Sequence, residues 1–593
     1  MAIEVNCGEL NEEYIGKRVA LRGWCRYIRD HGGKLFIDLA DMHGITQLVF
    51  EGKVKEEAEE LGKEYVIYAS GIVRRRDEET VDKTNPTGTI EVYVEEFDII
   101  NKSKLPPFEI IDEKRSFLPN EDLRLKYRYL DLRRREMVKK IEFRDKIAKI
   151  VRKYMWDQGF LELETPTLVK DTYETGSRTF LVPSRTKKGT FYSLPQSPQI
   201  YKQLCMIAGI DKYFQMARCY RDEDPREDRQ PEFTQVDLEV SFKDEKYIEG
   251  VIEGLIKAVF DALGKKVDIP FKHMKYADAI AIYGSDKPDL RFDSKIIDIT
   301  EIMKSSNYNV VKRVIASGGK VKAMCFDAEF DGKEGLLDEN YMLKLIDTAK
   351  SFGLRGLTWL YVKESKIMSE PESIAESIGD EACEKIKQAV DAKDGNIIVI
   401  CSDPSETLLL NAMGKLRKLI GDRIGKYKSE YEFLWIDHFP LFEKDEVTSK
   451  LKPSHNPFTA PTPETQDLIE KEPEKVLSRQ YDLVLNGVEI GGGSIRINDA
   501  ELQRKVLRTI GMSDEEIDNS FGFLIEALQY GAPIEGGIAL GFDRFVALLY
   551  GEQDIKEFIL FPKNKKYESP IDGSPTQIDP KRLRDDLGIG VEV

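Results

Sequence analysis

Three stretches of the chain carry side chains whose types and spacing suit chemistry on a phosphate-bearing substrate. The first is Phe214-Gln-Met-Ala-Arg-Cys-Tyr-Arg221-Asp222-Glu223-Asp224, continuing to Arg229-Gln230-Pro231-Glu232-Phe233. Arg221 ends a β-rich run, where its fork of N–H donors can clamp a phosphate. Glu223 can accept from an exocyclic amine and Phe233 can stack on a purine face. A charged hairpin laced with surface ion pairs would explain the same residues. The second stretch is Gly536-Gly537-Ile-Ala-Leu-Gly541-Phe542-Asp543-Arg544. Its glycines admit a ligand close to the backbone, and Arg544, opening a helix, can meet a polyphosphate tail; plain helix packing uses glycines the same way. The third is Asp482-Leu-Val-Leu-Asn486-Gly487-Val488-Glu489-Ile490-Gly491-Gly-Gly-Ser-Ile-Arg496. A turn at Asn486-Gly487 is expected to bring Asp482 and Glu489 together, and two carboxylates beside a triphosphate suit Mg²⁺. An Asn-Gly hairpin with exposed acids fits equally. A Walker A loop and a G-x-G-x-x-G fingerprint are both missing.

The elements that must hold these groups fall into blocks. The chain has 593 residues, enough for about four domains, with a formal charge of −17 and 41% hydrophobic residues. The acidic balance argues against indiscriminate nucleic-acid binding, not against one selective nucleic-acid partner. No apolar run approaches a membrane span, and the N-terminus lacks the pattern of a signal peptide. Seven scattered cysteines without C-x-x-C, and five histidines, support neither a disulfide framework nor a zinc site. The expectation is a cytoplasmic protein without zinc and without a membrane partner.

Residues 1–105 read as five short strands with one helical stretch at 53–61, a small barrel of the OB type. Residues 106–135 read as a linker ending in a basic run, 124–135, with six basic residues against one acidic. That run either touches nucleic-acid phosphates or forms a hinge helix with solvated charges. A long helix follows from Met137, and then a strand closed by Pro166. Residues 286–424 read as an inserted α/β unit with its own strands and helices. The β-rich pattern resumes at 425–560, and 561–593 is a polar extension.

An arginine–acid hairpin, a two-carboxylate strand with a glycine run and a terminal G-x-D-R, in this order, resemble the class II aminoacyl-tRNA synthetases. The strand before Pro166 is similar to that class's first motif, Arg221 to Phe233 to its second and Gly541 to Arg544 to its third. Gln196-Ser197-Pro198-Gln199-Ile200-Tyr201-Lys202, Phe233-Thr-Gln-Val-Asp237 and the run from Gly491 to Arg496 resemble the aspartyl-tRNA synthetases. The insert, with Asp403-Pro-Ser-Glu-Thr407, resembles the GAD domain of their bacterial form.

The resemblance covers essentially the whole chain and implies an α+β multidomain architecture. Its parts are an OB-fold anticodon-binding barrel (1–105), a hinge (106–135), an antiparallel-sheet catalytic core in two pieces (136–285 and 425–560), an inserted GAD domain (286–424) and a C-terminal extension (561–593). The implied reaction is ATP-dependent, AMP-forming ligation of L-aspartate to the 3′-terminal ribose of tRNA(Asp), by a homodimer. The resemblance implies that Arg221 holds the α-phosphate, Glu223 reads the adenine amine, and Phe233 and Arg544 flank the ring. Asp222, Gln230, Gly541, Phe542 and Asp543 complete the ATP site, with Asp482 and Glu489 on Mg²⁺. It places Arg496 and Lys202 on the aspartate side chain, Ser197, Gln199 and Asp237 around its ammonium, and His455 nearby. Tyr173-Glu174-Thr175-Gly176-Ser177-Arg178 replaces the family's usual Pro-Glu-Gly-Ala-Arg, which leaves Glu174 or another acid for the ammonium. In the barrel, Phe36 would stack on the middle anticodon base while Arg29 and Gln47 read base edges. His31 is similar to members that charge both tRNA(Asp) and tRNA(Asn), so a non-discriminating enzyme is the alternative. A synthetase specific for asparagine or lysine, a silent paralogue that only binds, and a tRNA-independent ligase are the rival readings.

Overall fold

The structure, a computed structural model, describes residues 2–110, 118–172, 178–223, 229–330, 335–445 and 448–590. The chain divides into two compact units. The first holds Met1–Lys149, Glu223–Pro231 and Val546–Val593, and the second Ile150–Asp222 and Glu232–Phe545. Among the described residues, no helix is long and apolar enough to cross a membrane.

In the first unit, six strands form a barrel-like sheet: β1 (Ile3–Glu4), β2 (Arg18–His31), β3 (Lys34–Ala40), β4 (Ile45–Glu51), β5 (Val66–Arg75) and β6 (Ile90–Asn101). The order is β1-β2-β3-β4-β6-β5, and β2 also pairs with β5, which closes the sheet. Closure turns on a bulge between Cys25 and Tyr27. Arg18 to Trp24 pair with β5, and residues from Trp24 onward pair with β3, because the extra residue bends the strand from one partner to the next. Alternation sets the two faces: on β3, Leu35, Ile37 and Leu39 are buried in the core, while Phe36 and Asp38 point outward.

Most of the basic run at 124–135 is bound to protein partners. Arg124 grips Asp131 through Nε and Nη2, both at 3.0 Å, and reaches Glu557 at 3.1 Å. Arg128 donates to Asp131 at 2.7 Å and to the carbonyls of Lys556, Ile559 and Leu560, and Arg134 donates to Asp131 at 2.8 Å. Asp131 is fully buried. Helical spacing puts this one acid three residues from two of the arginines, so the run collapses onto its own carboxylate. Arg133 is drawn to Glu64 and the Trp24 ring, and Arg135 to the Met42 carbonyl.

The second unit is built on an eight-stranded sheet of β7 (Leu161–Glu162), β8 (Lys212–Tyr220), β9 (Glu232–Ser241), β10 (Lys272–Lys275), β11 (Phe433–Asp437), β12 (Gln480–Leu485), β13 (Val488–Ile495) and β14 (Glu535–Gly541). Its order is β10-β11-β12-β13-β14-β9-β8-β7. Only the outer pairs β7–β8 and β10–β11 are parallel; the other pairings are antiparallel. The expected strand up to Pro166 is shorter than read. It ends at Glu162, with one further backbone bond from Leu163 N to Phe214 O. A separate antiparallel sheet of Ile297–Asp298, Lys320–Asp327, Asn396–Asp403, Thr358–Lys363 and Lys366–Met368 lies within 286–424, with an apolar cluster packed on each of its faces.

Candidate active site

Strand register gathers the polar residues on one face of the eight-stranded sheet. Residues directly opposite in an antiparallel pair share a face, and so do residues two apart on one strand. Asp237 faces Gln215 on β8 and Ala539 on β14, and Glu239 faces Gly537. Ala539 and Gly537 face Gly492 and Ser494 on β13, and Gly492 faces Asp482 on β12. Phe233, Asp237, Glu239, Gly492, Ser494, Arg496 and Asp482 therefore project to one side. The middle of that side carries only glycine, alanine and serine, which leaves room for a ligand between the larger polar groups.

The hairpin turn brings Glu489 to this face, and a bulge sets which later residues of β13 share it. In the two-residue hairpin closed by Asn486-Gly487, Glu489 lies opposite Val484, which is two residues from Asp482, so the two acids share a face. The turn residues take φ of 53° and 77°, as a tight two-residue hairpin requires. The pairing then jumps from Val484–Glu489 to Leu483–Gly491, leaving Ile490 as the extra residue. That single insertion brings Gly492, Ser494 and Arg496, in place of Gly491, Gly493 and Ile495, onto the side of Asp482 and Glu489.

At one end of the face, cations and acids form a dry network. Arg496 donates to Glu239 through Nε at 2.8 Å and Nη2 at 3.1 Å, and to Ser494 Oγ. Lys202, on the helix Gln199–Ile207, lies 2.8 Å from Asp237 and 3.1 Å from Glu239. Burial raises the Glu239 pKa, but Arg496 and Lys202 outweigh it and hold the carboxyl below its usual range. For Asp237 burial wins over Lys202 and the pKa is raised. Gln199 donates to Gln203, and Gln203 to Glu535, whose pKa burial and Glu239 push well up. Gly537 must be glycine, since a Cβ there would fall 2.0 Å from Glu239 Oε2. Ser197 Oγ accepts from Gln199 N at the helix start. Glu239, Gln203, Ser494 and Glu535 are the members that the sequence reading missed.

His455 links this network electrostatically to Arg221. Its pKa is pushed down to about 3 by burial and by the positive charges of Arg496, Arg221 and Lys202. A Cβ at Gly492 would lie 2.9 Å from Asp482 Oδ1 and 3.3 Å from His455 Cε1, so histidine and acid flank the same glycine. The unfolded chain takes up this proton near pH 6.5 and the folded chain does not until about pH 3, so stability falls as pH drops through that window. We expect the His455 imidazole to stay neutral from pH 8 to 5 in ¹⁵N NMR spectra of the ligand-free protein; a midpoint near 6.5 would break its link to the three cations. Asn456 spends its side-chain oxygen on Phe458 N and Thr459 Oγ1, which shapes the loop.

At the other end, Arg221 lies over the Phe233 ring at 5.2 Å. Its Nε is buried without a hydrogen-bond partner among the described residues, a donor set that an anionic group would satisfy. Arg544 donates to the Glu489 carbonyl at 2.7 Å. Burial, followed by the neighbouring Glu489, raises the Asp482 pKa well above the carboxylate range, as for an acid short of counter-charge. Two oxygen donors in this condition fit Mg²⁺, which takes one or two carboxylates and completes its shell with phosphates and water. Lys287 lies 3.7 Å from Glu489; burial disfavours its charge, but Asp286, Glu489 and Asp482 outweigh burial and raise its pKa.

Several expected ATP-site residues have other partners. Phe542 is buried, and Asp543 accepts from Thr234 N at 2.7 Å, tying the helix start to β9. Asp222 N bonds Arg178 O. Glu223 and Gln230 belong to the first unit, where Glu223 pairs with Arg229 and Gln230 exchanges two bonds with the Lys563 backbone. Glu174 lies outside the described residues.

On the barrel, Phe36, Asp38 and Gln47 share an outward face. Arg29 donates twice to Asp38, at 3.0 and 2.7 Å, and reaches Gln47 at 3.2 Å, and Gln47 donates to Glu91 at 2.7 Å. His31 meets Phe36 edge-on at 5.9 Å between centroids. Asp38 and Glu91, which orient the two polar groups, were not read from sequence.

Residues 120–565 match the family model of class II tRNA synthetases (D, K and N), and residues 19–100 match that of OB-fold nucleic acid binding domains. An aspartate–tRNA(Asp/Asn) ligase of Caldanaerobacter subterraneus is 43% identical, covering 98% of this chain and 97% of its own. An aspartate–tRNA ligase of Macrococcus caseolyticus is 42% identical with the same coverage. Among solved structures, an asparaginyl-tRNA synthetase of Pyrococcus horikoshii superposes with a TM-score of 0.57 at 19% identity, covering 95% of this chain and 98% of its own. A Leishmania major protein described as an aspartyl-tRNA synthetase reaches 0.59 at 18% identity, covering 95% and 93%. These likenesses bear on the fold, whereas the end-to-end sequence matches and the family models bear on descent: the chain belongs to the class II tRNA synthetases and, within them, to the family of aspartate–tRNA ligases.

Proposed function

We propose that the protein activates L-aspartate with ATP and transfers the aspartyl group to the 3′-terminal ribose of tRNA(Asp). One observation carries the reading: His455, beside Gly492 on the sheet face that also bears Asp482 and Glu489, is buried and feels the charges of Arg496, Arg221 and Lys202 together. In the first step the substrate α-carboxylate attacks the ATP α-phosphorus, a P–O bond to it forms, and pyrophosphate leaves. Arg221 holds the α-phosphate as charge builds there, and Arg544 meets the departing end, so catalysis is positioning and charge stabilisation. Asp482 and Glu489 would hold Mg²⁺, which supplies charge neutralisation to the phosphates. Lys202 and Arg496 read the side-chain carboxylate. Asparagine would leave buried cations poorly matched, which rejects it by unpaired charge and not by size. Ribose attack on the aspartyl-adenylate then releases AMP.

The barrel face of Arg29, Phe36, Gln47 and His31 would hold the anticodon, with Phe36 stacked on a base. The relatives named aspartate–tRNA(Asp/Asn) ligases, together with His31 on this face, support as a second reading an enzyme that also accepts tRNA(Asn). The 286–424 region as a GAD domain and a homodimer belong to the same proposal; Trp156, Leu161 and Leu168, each more than half exposed, offer apolar surface to a second copy. ATP–pyrophosphate exchange by the pure protein, dependent on aspartate and indifferent to asparagine and lysine, tests the reaction; exchange with asparagine alone overturns it. Charging of purified tRNA(Asp) and tRNA(Asn) separates the two tRNA readings. Phe36→Ala should lower charging by about tenfold or more, from a stacking contribution of about 1–3 kcal/mol, and leave exchange unchanged. Equal losses in both assays would remove the barrel from anticodon binding.

A further inference from the structure

Lys287 brings an ammonium to the carboxylates assigned to the metal, although nothing in the reaction above asks for one there. Its Nζ lies 3.1 Å from Asp286 Oδ2 and 3.7 Å from Glu489 Oε2. The segment that delivers it is anchored on both sides. Gly284 closes the helix Tyr276–Tyr283 in a left-handed conformation at φ 65°. On the far side, Asp289 accepts from the Arg291 backbone and guanidinium at 2.7–3.2 Å. Asp289 also packs on the hairpin turn, since a Cβ at Gly487 would fall 2.9 Å from Asp289 Cβ. Residues 284–291 are thus held to the turn that leads into Glu489. Asp286 acts on Asp482 as well, so one ammonium stands among three carboxyl groups and is in ion-pair range of two of them.

We propose that Lys287 is the built-in counter-ion of this cation site: it neutralises Glu489 when the metal is absent and competes with the metal for that carboxylate. The proposal rests on Asp482 and Glu489 being the metal ligands. An ammonium and a divalent cation against one carboxylate repel each other strongly in a partly desolvated site. Lys287 therefore lowers the affinity for free metal and is displaced when metal and nucleotide enter together. As a positioning residue it also ties occupancy of the site to the segment that opens the 286–424 region.

Mn²⁺ binding to the full-length protein without ATP, followed by electron paramagnetic resonance of the free ion, tests this. Lys287→Met should bind Mn²⁺ at one site about tenfold more tightly than wild type, because a like charge has been removed. Lys287→Arg, which keeps the charge, should stay near wild type, and Asp482→Asn should weaken that site in either background. In ATP–pyrophosphate exchange, the Mg²⁺ concentration giving half-maximal rate should fall for Lys287→Met alone. Unchanged or weaker Mn²⁺ binding by Lys287→Met, with the Asp482→Asn effect intact, overturns the role of Lys287. Mn²⁺ binding indifferent to Asp482→Asn removes the metal-site reading instead. Should Lys287→Met fail to fold, Lys287→Gln replaces it, with the same outcomes.

Discussion

Arg221→Ala should cut aspartate-dependent ATP–pyrophosphate exchange by about a thousandfold, the scale of losing a donor aimed at developing charge, while leaving the fold intact. The asymmetry follows from where the guanidinium stands. It has no ion-pair partner among the described residues, its Nε is buried without an acceptor, and its visible protein contact is the Phe233 ring at 5.2 Å. Such a cation–π contact is worth about 0.5–1 kcal/mol, so its removal strands no buried charge and should scarcely move the unfolding midpoint. The same guanidinium is one of three cations that depress His455, which fixes it in the same polar environment as Arg496 and Lys202. Arg221→Lys should restore only part of the rate, because an ammonium keeps the charge and loses the fork that fits a phosphate. Exchange near the wild-type rate in Arg221→Ala would take the α-phosphate away from this residue.

What could be read from the chain in advance divides along a physical line. Residues whose meaning lies in local order were legible: the Asn486-Gly487 turn, the strand–helix pair Glu535–Gly541 and Phe542–Tyr550, and the alternation that turns Phe36 and Asp38 outward on β3. Residues whose meaning depends on a distant partner were not. Glu239 stands two positions after Asp237 on the same strand face, yet its role appears only when Arg496, 257 residues away, is brought onto it. The basic run at 124–135 looked like a phosphate surface because one of its neutralising acids, Glu557, is 433 residues off. The bulge at Ile490 leaves no mark in composition, and without it Gly492, Ser494 and Arg496 would lie on the face opposite Asp482 and Glu489. Several helices went unread despite clear local signals. Asp244 caps Glu245–Ala262, and Ser513 with Glu516 forms a reciprocal capping box on Asp514–Leu528.

Arg496→Leu should lose both aspartate activation and stability, and the two losses can be separated. Arg496 is buried and holds Glu239 by two bonds, with Lys202 as the other cation on that carboxylate. Removing one partner of a buried pair costs about 3–5 kcal/mol, because the charge left behind has lost its compensation. A lower unfolding midpoint is therefore expected whatever the residue does for the substrate. Glu239→Gln in the same chain removes the stranded charge while Lys202 keeps Asp237, so the double variant should recover much of the stability. Its aspartate-dependent exchange should still be down by about a thousandfold, near the upper end of the 2–5 kcal/mol that truncating a buried, hydrogen-bonded charge partner costs in recognition. The loss should appear first as a raised KM for aspartate, with the KM for ATP little changed, since Arg221 and the Asp482–Glu489 pair remain. If exchange returns together with stability in the double variant, Arg496 serves the sheet, and the substrate carboxylate must be read by Lys202 without it.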